Sequence, residues 1–189
     1  MASTVTHVLV GVVSGRELFR KKMPVRFWVL CAISPILVDA DTIGLRLGVP
    51  YEHFFGHRGF SHSLIFAVFL SLAIVLIFFR DHKVCTRSWW GLFGFFTLLT
   101  ASHGLLDALT SGGLGVALFS PFDSNRYFAP WTPIIVAPIG FANFFSEWGL
   151  AVLLSEARWV WLPMSLFFLL MRGIRVRFLK PKEPENLAS

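Results

Sequence analysis

Apolar residues in this chain come in long runs, not at the three-to-four-residue spacing of a surface helix. Residues 62–79 (HSLIFAVFLSLAIVLIFF) contain no Lys, Arg, Asp or Glu and approach the ~20 residues an α-helix needs to cross hydrocarbon. Residues 27–37 (FWVLCAISPIL) lead into Val38, Asp39, Ala40 and Asp41, so a helix there delivers its aspartates at its far end. A third run, 89–109, opens on Trp89 and Trp90 and carries His103 and Asp107 in its last turns. For the fourth, residues 134–154 are interrupted by Pro138, Gly140, Asn143 and Glu147, so the crossing is expected at 155–171 (SEARWVWLPMSLFFLLM). Residues 134–154 then lie at the interface or re-enter, which is tolerated where irregular backbone is buried in protein or faces water. A crossing at each of the two runs is the alternative, and it puts the C-terminus on the opposite side. The expected fold is all-α: a multi-pass transmembrane helical bundle of about four spans plus a short N-terminal membrane helix. It forms a single domain over residues 1–179 with a flexible cytoplasmic tail over 180–189.

Composition agrees with a bilayer as solvent. Of 189 residues 55% are hydrophobic, above the roughly 45–50% of soluble domains. The 21 Phe and seven Trp suit lipid-facing surface and interface belts. Lys and Arg outnumber Asp and Glu by 17 to 11, but they gather in 16–26, 80–87 and 172–182, between the apolar runs. That placement sets orientation in a membrane and argues against a nucleic-acid surface. The basic segments, including the C-terminus, are therefore expected in the cytoplasm. Residues 44–61 and 110–155 carry only Arg46, Arg58 and Arg126 and are expected outside. The two cysteines, Cys31 and Cys85, form neither a disulfide framework nor a CxxC pair. No positive region precedes the first apolar stretch, so the N-terminus is expected to belong to the mature protein.

Laid on this topology, the ionisable residues collect on one side. Asp39 and Asp41 fall at the outer end of one span, His57 and His62 at the outer entrance of the next, and His103 and Asp107 near the outer end of the third. His7 and Glu156 complete the set. Charged groups beside hydrocarbon cost roughly 2.5–3.5 kcal/mol each on insertion scales, so they normally face a bundle interior and find partners. His103 and Asp107 are i and i+4 on a helix, on one face. Mixed imidazole and carboxylate ligands suit zinc, manganese or iron. The candidate ligands are His7, Asp39, Asp41, His57, His62, His103 and Asp107. Such a centre activates water, with Asp41 or Glu156 as base or orienting group. His53 and His82 read as loop residues.

At these residues the chain resembles the YdjM-like family of inner-membrane proteins, held to be metal-dependent hydrolases and LexA-regulated in one member. The resemblance covers most of the chain and rests on Thr6–His7, DAD at 39–41, HRGFSHS at 57–63, SHGLLDALTSGG at 102–113 and SPFDSNRYFAPWTPI at 120–134. This chain has Ser61 where the family usually has Thr, and Val38 before DAD where the family often reads PDxD. The order of ligands is also similar to that of zinc-dependent phospholipase C and related nucleases, an analogy that does not establish a shared fold.

These readings imply a hydrolase of the bacterial inner membrane that uses a divalent metal, zinc first and manganese or iron as alternatives. It would cleave a phosphoester at the extracytoplasmic face, with Arg58 or Arg126 steadying phosphate. Its expected partners are membrane lipids and a small-molecule or lipid-linked phosphoester, not nucleic acid. The rival classes are a metal-ion or proton transporter, with ligands spread through the membrane depth, and a non-catalytic membrane protein whose metal staples its helices.

Overall fold

The computed structural model describes residues 1–19, 22–138 and 141–178, so the tail expected over 180–189 lies outside the described residues. α1 (Thr4–Leu18) begins at Ser3, whose hydroxyl accepts the Thr6 N–H, the usual device for satisfying an exposed amide at a helix start. α2 (Val25–Val38) follows Pro24 and contains Pro35. Pro35 has no N–H to give the Cys31 carbonyl four residues back, and that carbonyl faces α1 at Gly11. A Cβ on Gly11 would stand 2.1 Å from Cys31 O, and one on Gly15 3.1 Å from Cys31 Sγ. The two helices therefore meet along a small-residue seam of the kind membrane helices use for close approach.

α2 tightens into a 3₁₀ turn at Asp39–Asp41 and runs on through the short α3 (Thr42–Arg46). After a looped stretch and a second 3₁₀ turn at Phe60–His62, α4 (Leu64–Phe78) starts at Ser63, whose hydroxyl accepts the Phe66 N–H at 3.0 Å. α5 (Arg87–Ala108) is capped in the same way by Thr86. An irregular segment and α6 (Phe141–Phe144) precede α7 (Glu147–Glu156), a π turn at Ala157–Trp161 and α8 (Leu162–Phe178). Among the described residues no extended strand forms. Isolated bridges between Thr110 and Ile134 and between Val116 and Tyr127 pin the irregular segment down.

Among the described residues two stretches, Val25–Arg46 of 22 residues and Glu147–Arg177 of 31, are long and apolar enough to cross a membrane. α4 is apolar but has 15 residues, a rise of about 22 Å against a hydrocarbon core of about 30 Å. α5 has 22 residues, but Thr97, Thr100, Ser102, His103 and Asp107 lower its mean hydropathy. By length and hydropathy, two of the four expected spans are met. The last one also begins earlier than 155. Ser146 caps a helix at Glu147, an acidic residue suited to the first turn, so residues 147–154 are continuous with the final helix. The π turn falls just before Pro163, where the α-helical hydrogen-bond ladder loses a donor.

Phe27, Leu30 and Cys31 of α2 pack with Ile74 and Val75 of α4, Phe79 just beyond it, and Trp89, Phe96 and Leu99 of α5. This apolar core occupies the end of the bundle near the basic loops. The ionisable residues take the other end.

Candidate metal centre

Four segments deliver the polar residues. α2 ends in the 3₁₀ turn carrying Asp39 and Asp41; the last two turns of α5 supply His103 and Asp107; the turn before α4 brings His57, Arg58 and His62; α1 contributes His7. α5 comes close to that turn at Gly104, where a Cβ would lie 2.5 Å from the His62 carbonyl. The glycine after His103 thus lets two ligand-bearing segments meet.

Asp39, His62, His103 and Asp107 each aim one ligand atom at a common point, all within 4.8 Å of one another, and all four residues are buried. Asp39 Oδ1 is 3.4 Å from His62 Nε2 and 3.3 Å from His103 Nε2, and His62 Nε2 is 3.6 Å from Asp107 Oδ2. Asp39 Oδ1, His62 Nε2, His103 Nε2 and Asp107 Oδ2 have no hydrogen-bond partner. Four buried polar atoms left unpaired in one place would be a large cost without a compensating group. Atoms bound about 2.0–2.2 Å from a tetrahedral cation stand roughly 3.3–3.6 Å apart, and the Asp39–His62, Asp39–His103 and His62–Asp107 pairs have that spacing. The donor set fits a divalent cation.

Asp41 sits differently. Its Oδ1 accepts from His57 Nδ1 at 2.7 Å, and its Oδ2 accepts from Ser61 Oγ at 2.5 Å and from the Arg58 N–H at 3.2 Å. The same Oδ2 lies 3.1 Å from His62 Nδ1. A proton held on Nδ1 leaves Nε2 of His62 as the lone-pair donor toward Asp39, His103 and Asp107, which is how outer carboxylates orient metal-binding imidazoles. Asp41, His57 and His62 also form a second group compact enough to hold an ion, although the carboxylate there is already engaged.

The remaining candidates separate. His7 stacks on His103 with ring centroids 3.7 Å apart, and its Nε2, buried and likewise without a hydrogen-bond partner, is 3.6 Å from Asp107 Oδ1, beside the compact group of four. Glu156, expected as a base, instead accepts from the Ser3 N–H, the Ser3 hydroxyl and the Thr6 hydroxyl. It holds the start of α1, and its buried carboxylate is consumed by those donors. Arg58, expected to steady phosphate, is buried inside the protein. It donates to Gly112 O at 2.7 Å and Thr110 Oγ1 at 2.8 Å, and its Nε lies 3.2 Å from Asp107 Oδ2 at an angle too poor for a hydrogen bond. It is an internal counter-ion, and it needs Gly113, with φ +91°, because a Cβ there would come within 2.7 Å of its Nη1. Arg126 donates to His57 O and Tyr51 O, clasping the loop that carries His57.

His57 and Arg58 line a pocket of about 210 Å³ together with Tyr51 and Trp148. Burial pushes the Tyr51 phenol up from its ordinary value, so it stays protonated as a donor beside this pocket.

A helical chain with membrane-length helices and a buried His–Asp cluster at one end is a membrane protein with groups that could hold a metal ion. The chain belongs to the YdjM inner membrane protein family, which it matches over residues 1–180. It is similar to inner membrane protein YbcI of Escherichia coli (strain K12), with 40% identity over 169 residues, 88% of this chain and 94% of that protein. No solved structure matches the chain.

Proposed function

We propose that this protein is a metal-dependent hydrolase of the bacterial inner membrane that cleaves a phosphoester at the extracytoplasmic face. In this reading α2, α4, α5 and the joined α7–α8 cross the membrane, α1 is a short membrane helix, and the C-terminus is cytoplasmic. The observation that carries it is the set of four buried, unpaired ligand atoms on Asp39, His62, His103 and Asp107. Two imidazoles and two carboxylates in so compact a group suit zinc best, with manganese or iron as alternatives. When bound, such an ion supplies Lewis acidity, activating water and polarising a phosphoryl oxygen.

The chain's own residues do the rest. Asp41 holds the proton of His57 on Nδ1, leaving Nε2 as a proton acceptor on a residue that lines the pocket, the arrangement general bases use. Arg58 and Arg126 against Asp39, Asp41 and Asp107 leave one negative charge. A divalent cation turns that to one positive, which favours an anionic substrate. The apolar core that fills the opposite end of the bundle supports chemistry at one face over an ion path through the protein.

The test is metal analysis of detergent-purified protein beside His103→Ala, with hydrolysis of bis(p-nitrophenyl) phosphate as activity. Wild type is expected to hold stoichiometric divalent metal and to turn over, and the variant to lose both. Wild type without stoichiometric metal, or full activity in His103→Ala, would overturn the proposal.

A further inference from the structure

The pocket beside His57 does not end there. Met1, Ala137 and Pro138 line it and equally line a larger groove of about 640 Å³. The groove runs along α1 at Val5, Val8 and Leu9 and is closed on its other side by Phe144 and Phe145. Its character changes along its length. The smaller pocket is lined by Tyr51, His57 and Arg58, whereas the groove, apart from Ser3 and Thr4, is walled by aliphatic and aromatic residues. Ser3 at the groove turns its hydroxyl away to Glu156. Val5 is 43% and Phe145 73% exposed, so this apolar channel opens at the protein surface in a chain of membrane-length helices. Its volume is that of a ligand site, commonly about 300–1,000 Å³.

We propose that the substrate is a membrane lipid, its phosphorylated headgroup in the polar pocket and one acyl chain in the groove between α1 and Phe144–Phe145. The identification of this lipid as substrate rests on the hydrolase reading; the seating of the chain does not. A soluble phosphoester has no use for a contiguous apolar channel starting at the pocket wall. A diacyl lipid has a polar and an apolar part joined in that order, and it reaches the groove sideways from the bilayer.

The experiment uses the full-length protein in phosphatidylethanolamine vesicles containing phosphatidylglycerol with a photoactivatable diazirine on one acyl chain. Cross-linked peptides are mapped by mass spectrometry. Peptides containing Val5, Val8, Leu9, Phe144 and Phe145 are expected to be labelled several-fold above exposed α8 positions such as Leu166 and Phe167. Val8→Trp, which fills the groove, is expected to remove that excess while α8 labelling and bound metal stay as in wild type; Val5→Trp serves if Val8→Trp does not fold. Even labelling of all lipid-facing helices, or an excess unaffected by either tryptophan, overturns the inference. Hydrolysis of bis(p-nitrophenyl) phosphate separates the two readings. Groove labelling with no metal-dependent hydrolysis leaves the lipid seat standing and removes the hydrolase. Metal-dependent hydrolysis with diffuse labelling does the reverse.

Discussion

Replacing Asp41 with Asn keeps the side chain's size and removes one acceptor oxygen. Asp41 takes His57 Nδ1 on Oδ1 at 2.7 Å, and on Oδ2 it takes Ser61 Oγ at 2.5 Å and the Arg58 N–H at 3.2 Å, with His62 Nδ1 at 3.1 Å. An amide has one oxygen, so whichever side its NH₂ faces, a donor meets a donor. If that side is His62, the imidazole must move its proton to Nε2 or rotate, and the lone pair aimed at Asp39, His103 and Asp107 is withdrawn. Loss of such an outer partner typically weakens metal binding ~10–100-fold, about 1.4–2.7 kcal/mol. The assay is zinc affinity by chelator competition on purified Asp41→Asn, with stoichiometry measured on the same sample. The expected result is weaker binding at unchanged stoichiometry, with hydrolysis reduced as well. Wild-type affinity would refute the orienting role. A drop in the number of bound ions at unchanged affinity would show instead that Asp41, His57 and His62 hold an ion of their own.

Gly11→Leu places a side chain where a Cβ already meets Cys31 O at 2.1 Å; overpacking of this kind costs about 1–3 kcal/mol. Its Tm in detergent should fall, while Gly94→Leu, where a Cβ meets nothing within 4 Å, should not change it; equal Tm values would refute the seam. Arg58→Met leaves Asp107 without its buried counter-ion and Thr110 Oγ1 and Gly112 O without their donor, and breaking one half of such a pair costs about 3–5 kcal/mol. Little folded protein is expected by size-exclusion chromatography, with added zinc restoring part of it through binding to the folded state; a wild-type profile would count against the internal counter-ion. Cys85 is exposed and Cys31 buried, so a membrane-impermeant maleimide should label inverted vesicles and not intact spheroplasts. Labelling of spheroplasts would reverse the proposed orientation.

The position of the polar cluster was legible in the sequence because hydropathy fixes helix ends, and ionisable groups beside hydrocarbon have few places to go. Asp39, His62, His103 and Asp107 could be assigned to one level from that reasoning alone, and the structure brings them to one point. What each residue does there was not legible, since role depends on counting donors against acceptors at single atoms. Asp39 and Asp41 look equivalent in DAD, yet Asp39 Oδ1 is unpaired while Asp41 is saturated. Arg58, one of the few arginines at the level of the ligands, reads from the sequence as a substrate clamp. The turn instead folds it inward, its backbone at φ 62° and its amide on Asp41, leaving its side chain beside Asp107. Gly11 and Gly15, four apart on α1, are a further signal in the sequence, and they mark the α1–α2 seam. That seam bears on the site as well as on stability. It fixes α1 against α2, and α1 carries His7 onto His103 and places Val5 and Val8 along the groove, so the packing of two small residues helps set both the rim of the metal centre and the wall beside it.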